Sequence, residues 1–75
     1  MAKLPRLSGK EVIRALEKTG FIQKRQRGSH VFMIKENQEG KITTVVPMHQ
    51  EIDKGTLLEI MRQCKLTREE FMELI

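Results

Sequence analysis

Two short turns, Gly28-Ser29 and Asn37-Gln38-Glu39-Gly40, cut the middle of this chain into three extended runs, and they constrain the fold more than any other feature. Gly28-Ser29 belongs to the two-residue loops that close antiparallel hairpins, with glycine supplying a positive φ. Strands joined so tightly pair with one another. The middle of the chain therefore reads as a three-stranded antiparallel sheet, with strands over residues 21–27, 30–35 and 41–46. The third strand is β-branched throughout (Ile42, Thr43, Thr44, Val45, Val46), and Pro47 closes it. The first is polar from Gln23 to Arg27, which suits an edge strand with a wet face.

Helices are expected on both sides of this block. Residues 1–7 read as a loose lead-in, and Ser8-Gly9-Lys10-Glu11 reads as a capping box opening a helix over residues 9–19. Val12, Ile13 and Leu16 make its apolar stripe, and Gly20 ends it. After an acidic loop from Met48 to Asp53, a second helix runs over about residues 54–63. Its expected stripe is Leu57, Leu58, Met61 and Cys64. A second capping box, Thr67 to Glu70, opens a short closing helix. The order is α-β-β-β-α plus that helix: an α+β fold with one sheet packed on helices. Seventy-five residues make one domain, 1–75. Strands two and three carry apolar residues on both parities, so part of the second sheet face is expected to meet a partner protein.

The segment Met1 to Arg6 has no apolar stretch of the signal-peptide kind, and no run approaches the roughly 20 apolar residues of a membrane span. A single cysteine, Cys64, allows no internal disulfide. A cytoplasmic location is expected.

Charge singles out the front half. Residues 1–36 carry nine Lys/Arg against three Glu, a net of +6; residues 37–75 carry five against seven acids, a net of −2. A one-sided basic field draws polyanions, although a solvated basic face that only keeps a protein soluble gives the same count. The first hairpin concentrates the pattern: Lys24, Arg25 and Arg27, then Gly28-Ser29, then His30 at the mouth of an apolar strand. Histidine exchanges protons near neutral pH, with an unperturbed pKa of about 6.5. RNA carries its own nucleophile, the 2′-hydroxyl. Cleaving it needs a base for that hydroxyl, an acid for the leaving oxygen and cations for the charge that builds on phosphorus. His30 with Arg25 and Arg27 meets most of that list, with Lys24, Gly28, Ser29 and Lys35 completing an RNA-binding footprint. The second proton-transfer group is not evident. If Gly28-Ser29 is the whole loop, Arg27 and His30 are direct cross-strand neighbours.

Other readings compete. His30 can be a plain polar residue at a hairpin end. The chain can be a non-catalytic RNA-binding module, or an adaptor whose basic face meets an acidic protein. His49, near Glu51 and Asp53, matches no metal-ligand spacing; it suits a loop hydrogen bond, with a second catalytic group as the lesser alternative, and no metal or cofactor is expected. Cys64 lacks a basic neighbour on its helix face and reads as a small buried hydrophobe. Residues 55–75 have the outline of a helix-turn-helix, but the second helix offers only Arg68 against Glu69, Glu70 and Glu73, a poor match for DNA.

Six segments, taken together, resemble the HicA (YcfA-like) mRNA interferase toxins. They are Ser8-Gly9-Lys10-Glu11, Gly20-Phe21, Arg27-Gly28-Ser29-His30, Val45-Val46-Pro47-Met48-His49, Lys54-Gly55-Thr56-Leu57 and Leu66-Thr67-Arg68-Glu69-Glu70-Phe71. The resemblance implies a fold like a double-stranded RNA-binding domain, ribosome-independent cleavage of mRNA, and neutralisation by a HicB antitoxin in a hetero-oligomer, covering the His30 face. It puts the family's catalytic histidine at His30 and the preceding glycine at Gly28, with His49 at a second motif histidine.

Overall fold

The computed structural model describes residues 4–75; residues 1–3 of the expected lead-in lie outside them. The elements are α1 (Gly9–Glu17), β1 (Ile22–Arg27), β2 (His30–Asn37), β3 (Gly40–Pro47), α2 (Lys54–Gln63) and α3 (Arg68–Met72). The strands form one open antiparallel sheet in the order β1-β2-β3. The α+β expectation holds, with β2 in the middle and β1 and β3 at the edges. The second hairpin pairs to its tip, Asn37 with Gly40, so β2 and β3 run past their expected bounds.

Side chains set the helix ends. Ser8 and Glu11 form the reciprocal box: the Glu11 amide donates to Ser8 Oγ at 3.2 Å and the Ser8 amide to Glu11 Oε1 at 2.9 Å. At the far end of α1 the Phe21 amide reaches the Leu16 carbonyl and the Gly20 amide the Glu17 carbonyl, the two bonds of a Schellman closure. Asp53 caps α2 through the Thr56 amide, and Thr67 and Glu70 box α3.

One sheet face is covered. Val31, Met33 and Val46 point into a core with Val12, Leu16 and Phe21, closed by Leu57, Ile60, Met61 and Phe71. The buried stripe of α2 is Leu57, Ile60, Met61 and Cys64, at i, i+3, i+4 and i+7, with Leu58 only half-buried. That differs from the expected stripe because Ile60, one turn from Leu57, faces the sheet more squarely than Leu58. The helices stop short of the β1 edge, where all six residues are exposed. No helix among the described residues is long and apolar enough to cross a membrane.

Gly9 is fixed by space. Its amide donates to the His49 carbonyl at 2.9 Å. A Cβ there would overlap the Pro47 carbonyl oxygen and stand 2.9 Å from Met48 Cα. Both obstacles are backbone, so no side chain can swing aside. Gly9→Ala, although alanine is the better helix former, is expected to lower the unfolding free energy by about 1–3 kcal/mol. That is a fall of several degrees or more in Tm for a domain of this size, and an unchanged Tm would contradict the contact.

Acid should act on the caps. Hydrogen bonds from the Ser8 backbone, the Thr56 hydroxyl and the Thr67 backbone hold the Glu11, Asp53 and Glu70 carboxyls below their ordinary range. A depressed folded-state pKa gives stability that is present above the unfolded value, near pH 4, and lost as pH falls through the folded one. Denaturation midpoints measured from pH 6 to pH 2 should therefore fall, and less steeply in a Glu11→Gln, Glu70→Gln variant.

Candidate functional site

The first hairpin fixes the site. Arg27 and His30 are direct partners in the β1–β2 ladder, so Gly28-Ser29 is the whole loop. Gly28 has φ +57°, where a side chain costs about 1–2 kcal/mol, and it meets nothing within 4 Å. Ser29 has no positive φ, the pattern of a loop with glycine at its first position. Two further bonds hold the turn: Gln26 Nε2 donates to the Gly28 carbonyl at 3.0 Å, and the Met48 amide to the Ser29 carbonyl at 2.6 Å. On its other side His30 pairs with Pro47. The imidazole therefore stands exposed on the central strand, with a guanidinium-bearing residue on one side and a rigid proline on the other.

Cross-strand partners share a face, and so do residues two apart. The register thus sets out the uncovered face in rows: Arg27, His30 and Pro47; Arg25, Phe32 and Val45; Ile22, Ile34 and Thr43. Between Gln23 and Arg25 the register shifts, and Lys24 is the extra residue of a β-bulge. The shift returns Ile22 to the open face, where it is 62% exposed. The Arg25 guanidinium lies 5.0 Å from the Phe32 ring centroid, a cation–π stack. Lys24, Arg25, Phe32, Ile34, Thr43 and Val45 line a shallow cleft of about 380 Å³.

His30, Arg25, Arg27, Gly28 and Ser29 are thus brought to one end and one face of the first hairpin, with Lys24 at its bulge. Lys35 is not. It stands on the opposite parity, half-buried, its ammonium 5.9 Å from the Phe21 ring centroid beside the helices. His49 is exposed beyond β3, and its carbonyl accepts the Gly9 amide. Glu51 lies 3.9 Å from Arg6 and Asp53 is committed to the α2 cap. Among the described residues no three His, Cys, Asp or Glu side chains gather into a cluster. The helix-turn-helix reading finds only a five-residue α3, with Glu70 used in its cap. Sequence reasoning left out Phe32. Its parity with His30 was the available signal, masked by the apolar run of Val31 to Ile34.

A family model described as the HicA toxin of bacterial toxin–antitoxin systems matches residues 9–66. Among curated proteins no significant match was found.

Cys64 lies away from the Gly28-Ser29 turn, buried in the core. Burial pushes its thiol up to about 11, against weaker pulls from the Thr44 hydroxyl and the Lys35 charge. A raised folded-state pKa means that the stability it contributes is intact below the unfolded value, near 9, and lost as pH climbs toward 11. Native protein should react with a thiol reagent at pH 8 only after urea is added; fast labelling of the folded chain would contradict this burial.

Proposed function

Because the chain belongs to the HicA toxin family of toxin–antitoxin systems, we propose that it is an mRNA endoribonuclease whose catalytic group is His30, working without a metal. The observation that carries this reading is the register that sets an exposed histidine directly across from Arg27, two residues from the Arg25 row. In the proposed reaction His30 takes the proton of a ribose 2′-hydroxyl. The 2′-oxygen attacks phosphorus, the bond to the 5′-oxygen breaks, and that oxygen gains a proton from solvent. Arg27 and Arg25 neutralise the charge that builds on the phosphoryl oxygens, as fixed cations do more effectively than mobile water. Lys24 extends the contact to the next phosphates, and these sequence-independent contacts supply affinity. Glycine at position 28 keeps side-chain bulk away from the scissile group. Lys35, on the other face, adds field rather than contact.

The partner is proposed to be a HicB-type antitoxin that covers the His30 face and so blocks RNA. An open sheet face with Ile22 and Val45 exposed gives such a partner apolar surface to bury.

His30→Ala should fold with unchanged stability, since the side chain is exposed, and should lose cleavage by about 10²–10⁴-fold. A variant that cuts RNA at the wild-type rate overturns the assignment. Loss of cleavage by both proteins, with salt-sensitive RNA binding retained, would identify a binding module instead. Arg27→Gln should weaken RNA binding and reduce the slope of log K against log salt by about 0.7; an unchanged slope would remove Arg27 from the phosphate contact.

A further inference from the structure

The uncovered face offers more than charge. Phe32 follows His30 by two residues on the same side of β2, about 6.6 Å along the strand. It is half-buried rather than part of the core cluster. Its parity turns it away from the helices, and the Arg25 guanidinium stacks on the ring. Thr43, exposed on β3, brings a hydroxyl to the same cleft. In the row behind it Ile22 is exposed, while Ile34, its cross-strand partner, is buried at the floor of the cleft. Cations Lys24, Arg25 and Arg27 edge this patch along β1. Its only strand carboxylate is Glu36, at the far end and paired with Lys41.

We infer that this cleft is a base-stacking subsite for single-stranded RNA, in which an unpaired base adds to the Phe32–Arg25 stack while the neighbouring ribose and phosphate lie at His30. The inference rests on the ribonuclease reading and specifies its substrate form. An aromatic ring joined to a guanidinium is the combination on which unpaired bases stack, because every base has a π-face. A duplex keeps its bases stacked on each other and has no free face to offer. The cleft, at the small end of the size range of ligand pockets, suits one planar base. The Thr43 hydroxyl, donor and acceptor at once, can meet that base's edge. Charge decides between RNA and protein as the occupant. An apolar patch made for a protein alone needs no three cations along its rim, whereas a base attached to phosphate needs both the ring and the cations. Phe32 is thus a positioning residue: it fixes which nucleotide sits beside the histidine.

The test separates this idea from catalysis by using RNA that cannot be cut. A 12-nucleotide single strand with 2′-O-methyl groups lacks the nucleophile, so its binding can be measured with the full chain whatever the fate of the cleavage proposal. The single strand should bind at least about five-fold more tightly than the same sequence as a duplex, and Phe32→Leu should lose at least about five-fold on the single strand. Phe32→Trp should restore that affinity. The chain has no other tryptophan, so this variant also reports stacking directly: its fluorescence should be quenched by the single strand and not by the duplex. Three results would overturn the inference. One is Phe32→Leu binding the single strand within two-fold of wild type. Another is a duplex bound as tightly as the single strand, with no quenching in Phe32→Trp. The third is Phe32→Leu losing its protein partner while keeping its RNA affinity, which would give the face to the antitoxin alone. None of these touches the His30→Ala result, so the two proposals fail separately.

Discussion

The register of β1 on β2 decides what this molecule presents to solvent. Side chains on a strand alternate between faces, so a slip of one residue would carry every cation on β1 to the other side. The Gly28-Ser29 loop prevents the slip. It holds Arg27 across from His30, and the Met48 amide locks the Ser29 carbonyl from the β3 side. From that pair the rows count outward: Arg25 over Phe32, then, past the bulge at Lys24, Ile22 against Ile34. The bulge keeps apolar and cationic side chains on the same open face, which an unbroken ladder would have divided between two faces.

A second constraint anchors this end of the sheet to the helices. Gly9 lets the start of α1 press directly on the backbone of Pro47 and Met48, and its amide holds the His49 carbonyl. The Ser8-Gly9, Gly28-Ser29-His30 and Pro47-Met48-His49 segments therefore meet through main-chain contacts. These do not depend on side-chain rotamers, so the histidine hairpin rides on a rigid base. Rigid support of this kind lets an exposed residue keep a defined position toward a ligand. Among the described residues the other end of the sheet, where Glu36 pairs with Lys41, shows no comparable main-chain tie to the helices.

Most of the fold was legible because local chemistry announced it. Ser8 with Glu11, Asp53 with Thr56, and Thr67 with Glu70 mark helix starts by side-chain bonds that need no tertiary context. The Gly28 turn announced a hairpin, and the pairing of Arg27 with His30 followed once the loop length was fixed. What was not legible depends on neighbours distant in sequence. The bulge at Lys24 leaves no mark in a run of polar residues. Lys35 follows Arg27 by eight residues and shares the front half's positive charge, but it lies on the other face of the sheet, over Phe21. Phe32 was hidden in a strand apolar on both parities, and only the placement of the helices shows which parity they leave uncovered. Gly9 had a faint signal, glycine in a helix's first turn where propensity disfavours it.

In the proposed reaction the RNA's own 2′-hydroxyl is the attacking group and His30 drives it. The most direct measurement is the chemistry of the cut ends, read after incubating RNA with the protein in excess EDTA. Attack by the 2′-oxygen leaves a 2′,3′-cyclic phosphate on one fragment and a free 5′-hydroxyl on the other, and these are the ends predicted, absent with His30→Ala. A 3′-hydroxyl facing a 5′-phosphate, or cutting that stops when EDTA is added, would contradict it.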